Sequence, residues 1–140
     1  MLRPHQKPVW ITSITTADTS DCFERVRRAF FPVLWENAQG VRFASGLDGF
    51  TLVVRLVNPA TGPSRERATY DRKLNVQFMS ANIDYHQWIA ADWSQRVDLL
   101  ASAFADALDR TKGSQVSAEE KLILKSAIEL GRQESRKYQQ

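Results

Sequence analysis

One stretch constrains the fold more than any other, the run from Lys73 to Leu108. Leu74, Val76 and Phe78 alternate with Asn75 and Gln77. A period of two describes a strand with one buried and one wet face. Asp92-Trp93-Ser94-Gln95 then opens a segment in which Val97, Leu100, Phe104 and Leu108 recur at spacings of three and four, the apolar stripe of a helix. A half-wet strand leading into a half-buried helix predicts that the helix covers the apolar side of a sheet. Asp92 with Gln95 reads as an N-cap pair, and Gly113 as the helix stop after Arg110 and Lys112.

The rest of the chain supplies partners for this unit. Residues 1–8 read as a loose polar arm, and Val9 to Thr15 as a first strand. Asp21 and Glu24 can form a capping box, and Phe23, Val26 and Phe30 fall on one stripe behind it. Pro32 is expected to end or kink that helix near Phe30 and Phe31. Val33-Leu34-Trp35 then forms a further turn before Asn37-Ala38-Gln39-Gly40.

Asp48-Gly49 has the composition of a two-residue hairpin turn. With that turn, Leu47 faces Phe50, Ser45 faces Leu52, Phe43 faces Val54 and Val41 faces Leu56, which predicts strands at 41–47 and 50–57. Asn58 to Asp71 is a long polar connection, and the strand at 73–80 is expected to pair with 50–57. Ser117 and Glu120 form another capping box, ahead of a stripe of Ile123, Leu124, Ala127 and Ile128. Past Gly131 the charged tail, 132–140, reads as frayed. The order β-α-β-β-β-α-α predicts an α+β fold over a single domain, 1–140. Its sheet is four-stranded and mostly antiparallel, covered on one face by helices.

Chemistry is sparse in this sequence. Cys22 is the single cysteine among 140 residues, so no intrachain disulfide can form, which fits a reducing, cytoplasmic setting. No run is apolar enough for a membrane span. Cys22 and His86 are the one Cys–His pairing outside the N-terminal arm, and no Ser lies in a nucleophile elbow. Asp84 and His86 lack further metal ligands nearby. The glycines match no phosphate-binding loop. We therefore expect no catalytic residues, no metal, no cofactor and no small-molecule ligand.

Two groups remain that could bind a partner. One is the basic loop with Arg65, Arg67, Tyr70 and Arg72. The other is Asp84, Tyr85, His86 and Trp88, where aromatic side chains could anchor a protein surface. Each also has a plainer reading, as a solvated loop and as packing over the sheet edge.

The run Tyr70-Asp71-Arg72-Lys73-Leu74-Asn75-Val76, followed by Ile83-Asp84-Tyr85-His86-Gln87-Trp88 and Gln95-Arg96, resembles the C-terminal half of small bacterial immunity proteins. Those proteins guard against polymorphic toxins delivered by type VI secretion, Rhs-repeat or contact-dependent systems. The likeness covers roughly residues 41–130. It implies a non-enzymatic inhibitor that binds a cognate toxin protein and occludes its active site. The formal net charge is +3 and the pI is about 9.2. Inhibitors of nucleases are often acidic, so this balance points either away from a nuclease toxin or to contact through a local acidic patch such as Asp84 and Asp92. The alternative is a small nucleic-acid-associated or regulatory adaptor, suggested by Arg25, Arg27, Arg28, Arg65, Arg67, Arg72 and Lys73.

Overall fold

The structure, a computed structural model, describes residues 20–38, 45–58, 66–113 and 115–137. Among these residues four helices and three strands follow one another as α1 (Ser20–Asn37), β1 (Gly49–Val57), β2 (Ala68–Asp71), β3 (Val76–Asp84), α2 (Tyr85–Ala90), α3 (Trp93–Asp109) and α4 (Ala118–Ser135).

The α+β class agrees with expectation, but the sheet does not. Among the described residues it is three-stranded and mixed, in the order β1-β3-β2. β1 and β3 do pair, but in parallel, with Leu52 opposite Met79, Val54 opposite Ala81 and Leu56 opposite Ile83. β2 runs antiparallel on the other side of β3, with Thr69 opposite Phe78. A parallel neighbour cannot be reached through a tight turn. The chain leaves β1, passes to the far side of β3, comes back as β2 and turns into β3. A period-two pattern fixes which side chains share a face. It is silent on strand direction.

The Asp48-Gly49 turn does not form. Gly49 is the first residue of β1, and residues 45–48 are not strand. Gly46 holds the left-handed conformation instead, with φ 87°. The backbone N–H of Asp48 donates to the carbonyl of Asn75 at 2.9 Å, so this segment is tied to the β2–β3 turn. The expected strand at 9–15, and residues 41–44 of the next, lie outside the described residues.

The face expected on β1 is the buried one: Phe50, Leu52, Val54 and Leu56 are all core. On β3 the phase is reversed. Gln77, Met79, Ala81 and Ile83 are buried, Val76 and Phe78 are half-buried, and Leu74 sits in the turn, 60% exposed. Gln77 tolerates burial because its Oε1 accepts from Nε2 of Gln115 at 2.7 Å, which satisfies an otherwise costly polar group.

Helix α3 lies over the core face. Both atoms of its predicted capping box are in place, between Asp92 and Gln95, and the helix closes at Arg110, short of Gly113. Phe104 joins the layers, with its ring 5.6 Å from Phe50 on β1 and 6.4 Å from Phe31 on α1. α1 runs unbroken through Pro32. Pro32 is exposed, while Phe30, Phe31 and Leu34 on either side are buried. Packing of these neighbours offsets the lost backbone bond.

α4 begins at the predicted Ser117–Glu120 capping box and continues past Gly131 to Ser135. Gly131 is not a stop. It is buried where α4 meets α1, near the Phe30 carbonyl and Leu34. Arg132 is also ordered within the helix, with ion pairs to Asp98 at 3.0 Å and to Glu129 at 2.5 Å.

Candidate partner-binding surface

β2, the first strand of the β2–β3 hairpin, is the most exposed strand described. Ala68, Thr69 and Tyr70 are exposed in succession, so neither side of β2 is covered. Its turn, 72–75, is set by local chemistry. Asp71 Oδ1 accepts from the Leu74 backbone N–H at 3.0 Å. Asn75 takes a left-handed φ of 55°, which Asn tolerates better than most residues. Its Nδ2 donates to the Gly46 carbonyl at 2.7 Å, and its Oδ1 accepts from the Tyr70 hydroxyl at 2.8 Å. The tip is therefore braced. It presents Arg72, Lys73 and Leu74 outward, beside a Tyr70 that is 45% exposed.

Side chains finish the hairpin where β2 stops. The Ser80 N–H donates to the Arg67 carbonyl at 2.8 Å, continuing the ladder by one bond, while the Arg67 N–H donates to Ser80 Oγ at 2.5 Å. Beyond it, Glu66 Oε2 accepts from the Asn82 N–H at 2.9 Å, and Arg110 Nη2 donates to the Ser80 carbonyl at 2.6 Å. Arg110 and Glu66 also approach to 3.8 Å. Glu66 and Arg110 thus take the place of a further β2 residue. Neither stood out in the sequence, because the pairing is non-local.

The second predicted group lies at the opposite end of β3. Asp84 closes that strand and caps α2, with Oδ1 accepting from His86 N at 2.8 Å and Gln87 N at 3.1 Å. Tyr85 is half-buried against the core, its ring 5.6 Å from that of the exposed His86. Trp88 is fully buried, and is therefore a core residue and no exposed anchor. It packs 5.6 Å from Phe23, and the Arg96 guanidinium stands 5.6 Å from its ring. Arg96 Nε also donates to the Trp88 carbonyl at 3.0 Å.

The eight predicted residues therefore do not form one patch. Val76 and Asp84 are separated by the length of β3, about 26 Å at strand rise. Arg67, Tyr70 and Arg72 lie along the hairpin, and Asp84, Tyr85 and His86 at the far end. Arg65 lies outside the described residues. Leu74, which the alternation had assigned to the core, belongs to the exposed tip.

Two open clefts, of about 380 and 430 Å³, flank α3 and share Asp98 and Ser102. Their charges are already engaged. Arg132 bridges Asp98 and Glu129, and its hydrogen bond to Glu129 holds that carboxyl below the usual carboxylate range. This is a clamp between helices. Among the described residues no three His, Cys, Asp or Glu side chains converge as metal ligands. The Cys22 side chain is outside the described set. Among the described residues no helix is long and apolar enough to cross a membrane.

The family model for Immunity protein 44 (Imm44) matches residues 7–130. The chain belongs to the Immunity protein 44 family. That match takes in the hairpin, α2, α3 and most of α4, so both predicted groups fall within the family's own span. No curated protein and no solved structure matches the chain.

Proposed function

We propose that this Immunity protein 44 family member binds one cognate bacterial toxin in the cytoplasm and neutralises it by covering its active site, with no turnover of its own. The observation that carries this reading is the family match over residues 7–130. The hairpin supports it as a contact surface. Exposed Tyr70 and Leu74 offer desolvatable area, Arg67, Arg72 and Lys73 offer charge, and the braced turn loses little entropy on binding. An acidic rim on the toxin complements it. That favours a metabolic toxin, such as one consuming NAD, over a nuclease. Delivery by type VI secretion, an Rhs-repeat or a contact-dependent system completes the proposal.

The test is co-expression with the C-terminal domain of the protein encoded immediately upstream. The expected result is rescued growth and co-elution of the two proteins on a sizing column. Absence of both rescue and co-elution would overturn the reading. Salt-sensitive binding to DNA or RNA, without a protein partner, would instead favour a nucleic-acid adaptor.

A further inference from the structure

The geometry points to the outer edge of β2 as the place where the toxin adds a strand, an extended segment with acidic side chains at its ends. This inference rests on the immunity reading above and names the contact within it.

The backbone phase of β2 follows from one bond. Ser80 N–H donates to the Arg67 carbonyl, so Arg67 and Ser80 occupy a hydrogen-bonding position of the antiparallel ladder, although the Arg67 N–H itself donates to Ser80 Oγ. Such positions alternate along the ladder, which gives Thr69–Phe78 and Asp71–Val76 the same role in the observed register. Ala68 and Tyr70 are the residues between. Their N–H and C=O groups turn away from β3, toward the open side. Among the described residues β2 ends the sheet on that side, and both residues are exposed. An edge of this kind is a template for another strand.

Charge selects the occupant. Arg67 stands at one end of the four-residue edge, and Arg72 and Lys73 at the other. The nearby acids are committed, since Asp71 holds the turn and Glu66 bonds Asn82 and Arg110. An antiparallel second copy that pairs Ala68 with Tyr70 would set Arg67 against Asp71, whose carboxylate already holds the turn. An acidic strand meets attraction at both ends.

The test is amide hydrogen exchange, read by NMR, on the full chain alone and bound to the C-terminal domain encoded upstream. Free, the Ala68 and Tyr70 amides should exchange fast, and Thr69 and Asp71 slowly. In the complex, Ala68 and Tyr70 should slow at least about tenfold, as for one new hydrogen bond. Arg67→Glu combined with Arg72→Glu should slow association and invert its salt dependence while leaving the thermal midpoint in place. A complex in which Ala68 and Tyr70 exchange as in the free chain would overturn the edge contact and leave the proposed function standing. Failure to form any complex would remove both.

Discussion

Gly131 of α4 touches Leu34 of α1 so closely that a Cβ added to the glycine would stand 3.4 Å from the Leu34 backbone nitrogen and 3.5 Å from its Cβ. The Phe30 carbonyl would also be 3.4 Å away. The two helices meet here backbone to backbone. Gly131→Ala should change stability by less than about 1 kcal/mol, because the tight contact opposes the gain in helix propensity. Gly131→Leu should cost roughly 1–3 kcal/mol by forcing the helices apart. Urea unfolding of the pair separates the two effects, and equal midpoints would show that α1 and α4 are not in close contact.

Phe104 is fully buried between Phe31 and Phe50. Phe104→Ala should destabilise the fold by about 3–5 kcal/mol, from lost burial and the cavity left behind. Leu52→Ala, also at full burial, should cost about 2–5 kcal/mol. A urea midpoint shifted by the equivalent of under about 1 kcal/mol would show that these side chains do not bridge the layers.

Both predicted capping boxes are complete. Asp92→Ala removes the acceptor for the Gln95 N–H, and Ser117→Ala the acceptor for the Glu120 N–H. Each should cost about 1 kcal/mol, and Asp92→Asn a few tenths. Thermal melts of the four proteins would check this, and the Asn variant distinguishes a lost cap from a lost charge.

Acid should weaken the fold through Glu24 and Glu129. Hydrogen bonds from Arg27 and Arg132, respectively, are the main cause holding these carboxyls below their ordinary range. A depressed folded-state pKa stabilises the protein above the unfolded value, near about 4.3. The contribution fades as pH falls through the folded value. Both groups are substantially exposed, so their combined effect should stay within about 1 kcal/mol. Urea midpoints at pH 7 and pH 3 should differ less in an Arg27→Ala, Arg132→Ala double variant than in the parent.

The helices were legible because their signals are local. Asp92 with Gln95 and Ser117 with Glu120 act within one turn, and burial at three and four is set by helix geometry. The sheet was legible only in part. Phe50, Leu52, Val54 and Leu56 announced a core face, but nothing in them encodes a parallel neighbour. The Asp48-Gly49 dipeptide misled because such a pair makes a hairpin only where the strands on both sides are each other's partners. The turn that does form, Arg72 to Asn75, carries a quieter signal, an Asp just before it and an Asn at its end. For the candidate surface, residue type was visible and placement was not. Asp84, Tyr85 and Trp88 follow the hairpin closely in sequence, yet the length of β3 carries them away from it.

The meeting of α1 with α4 has a bearing on timing. Roughly eighty residues lie between these helices, a lag of several seconds at ribosomal speed. Until the later one emerges, the Gly131 backbone is not there for Phe30 and Leu34 to pack against. The α1–α4 contact is thus completed only after nearly the whole chain has been synthesised.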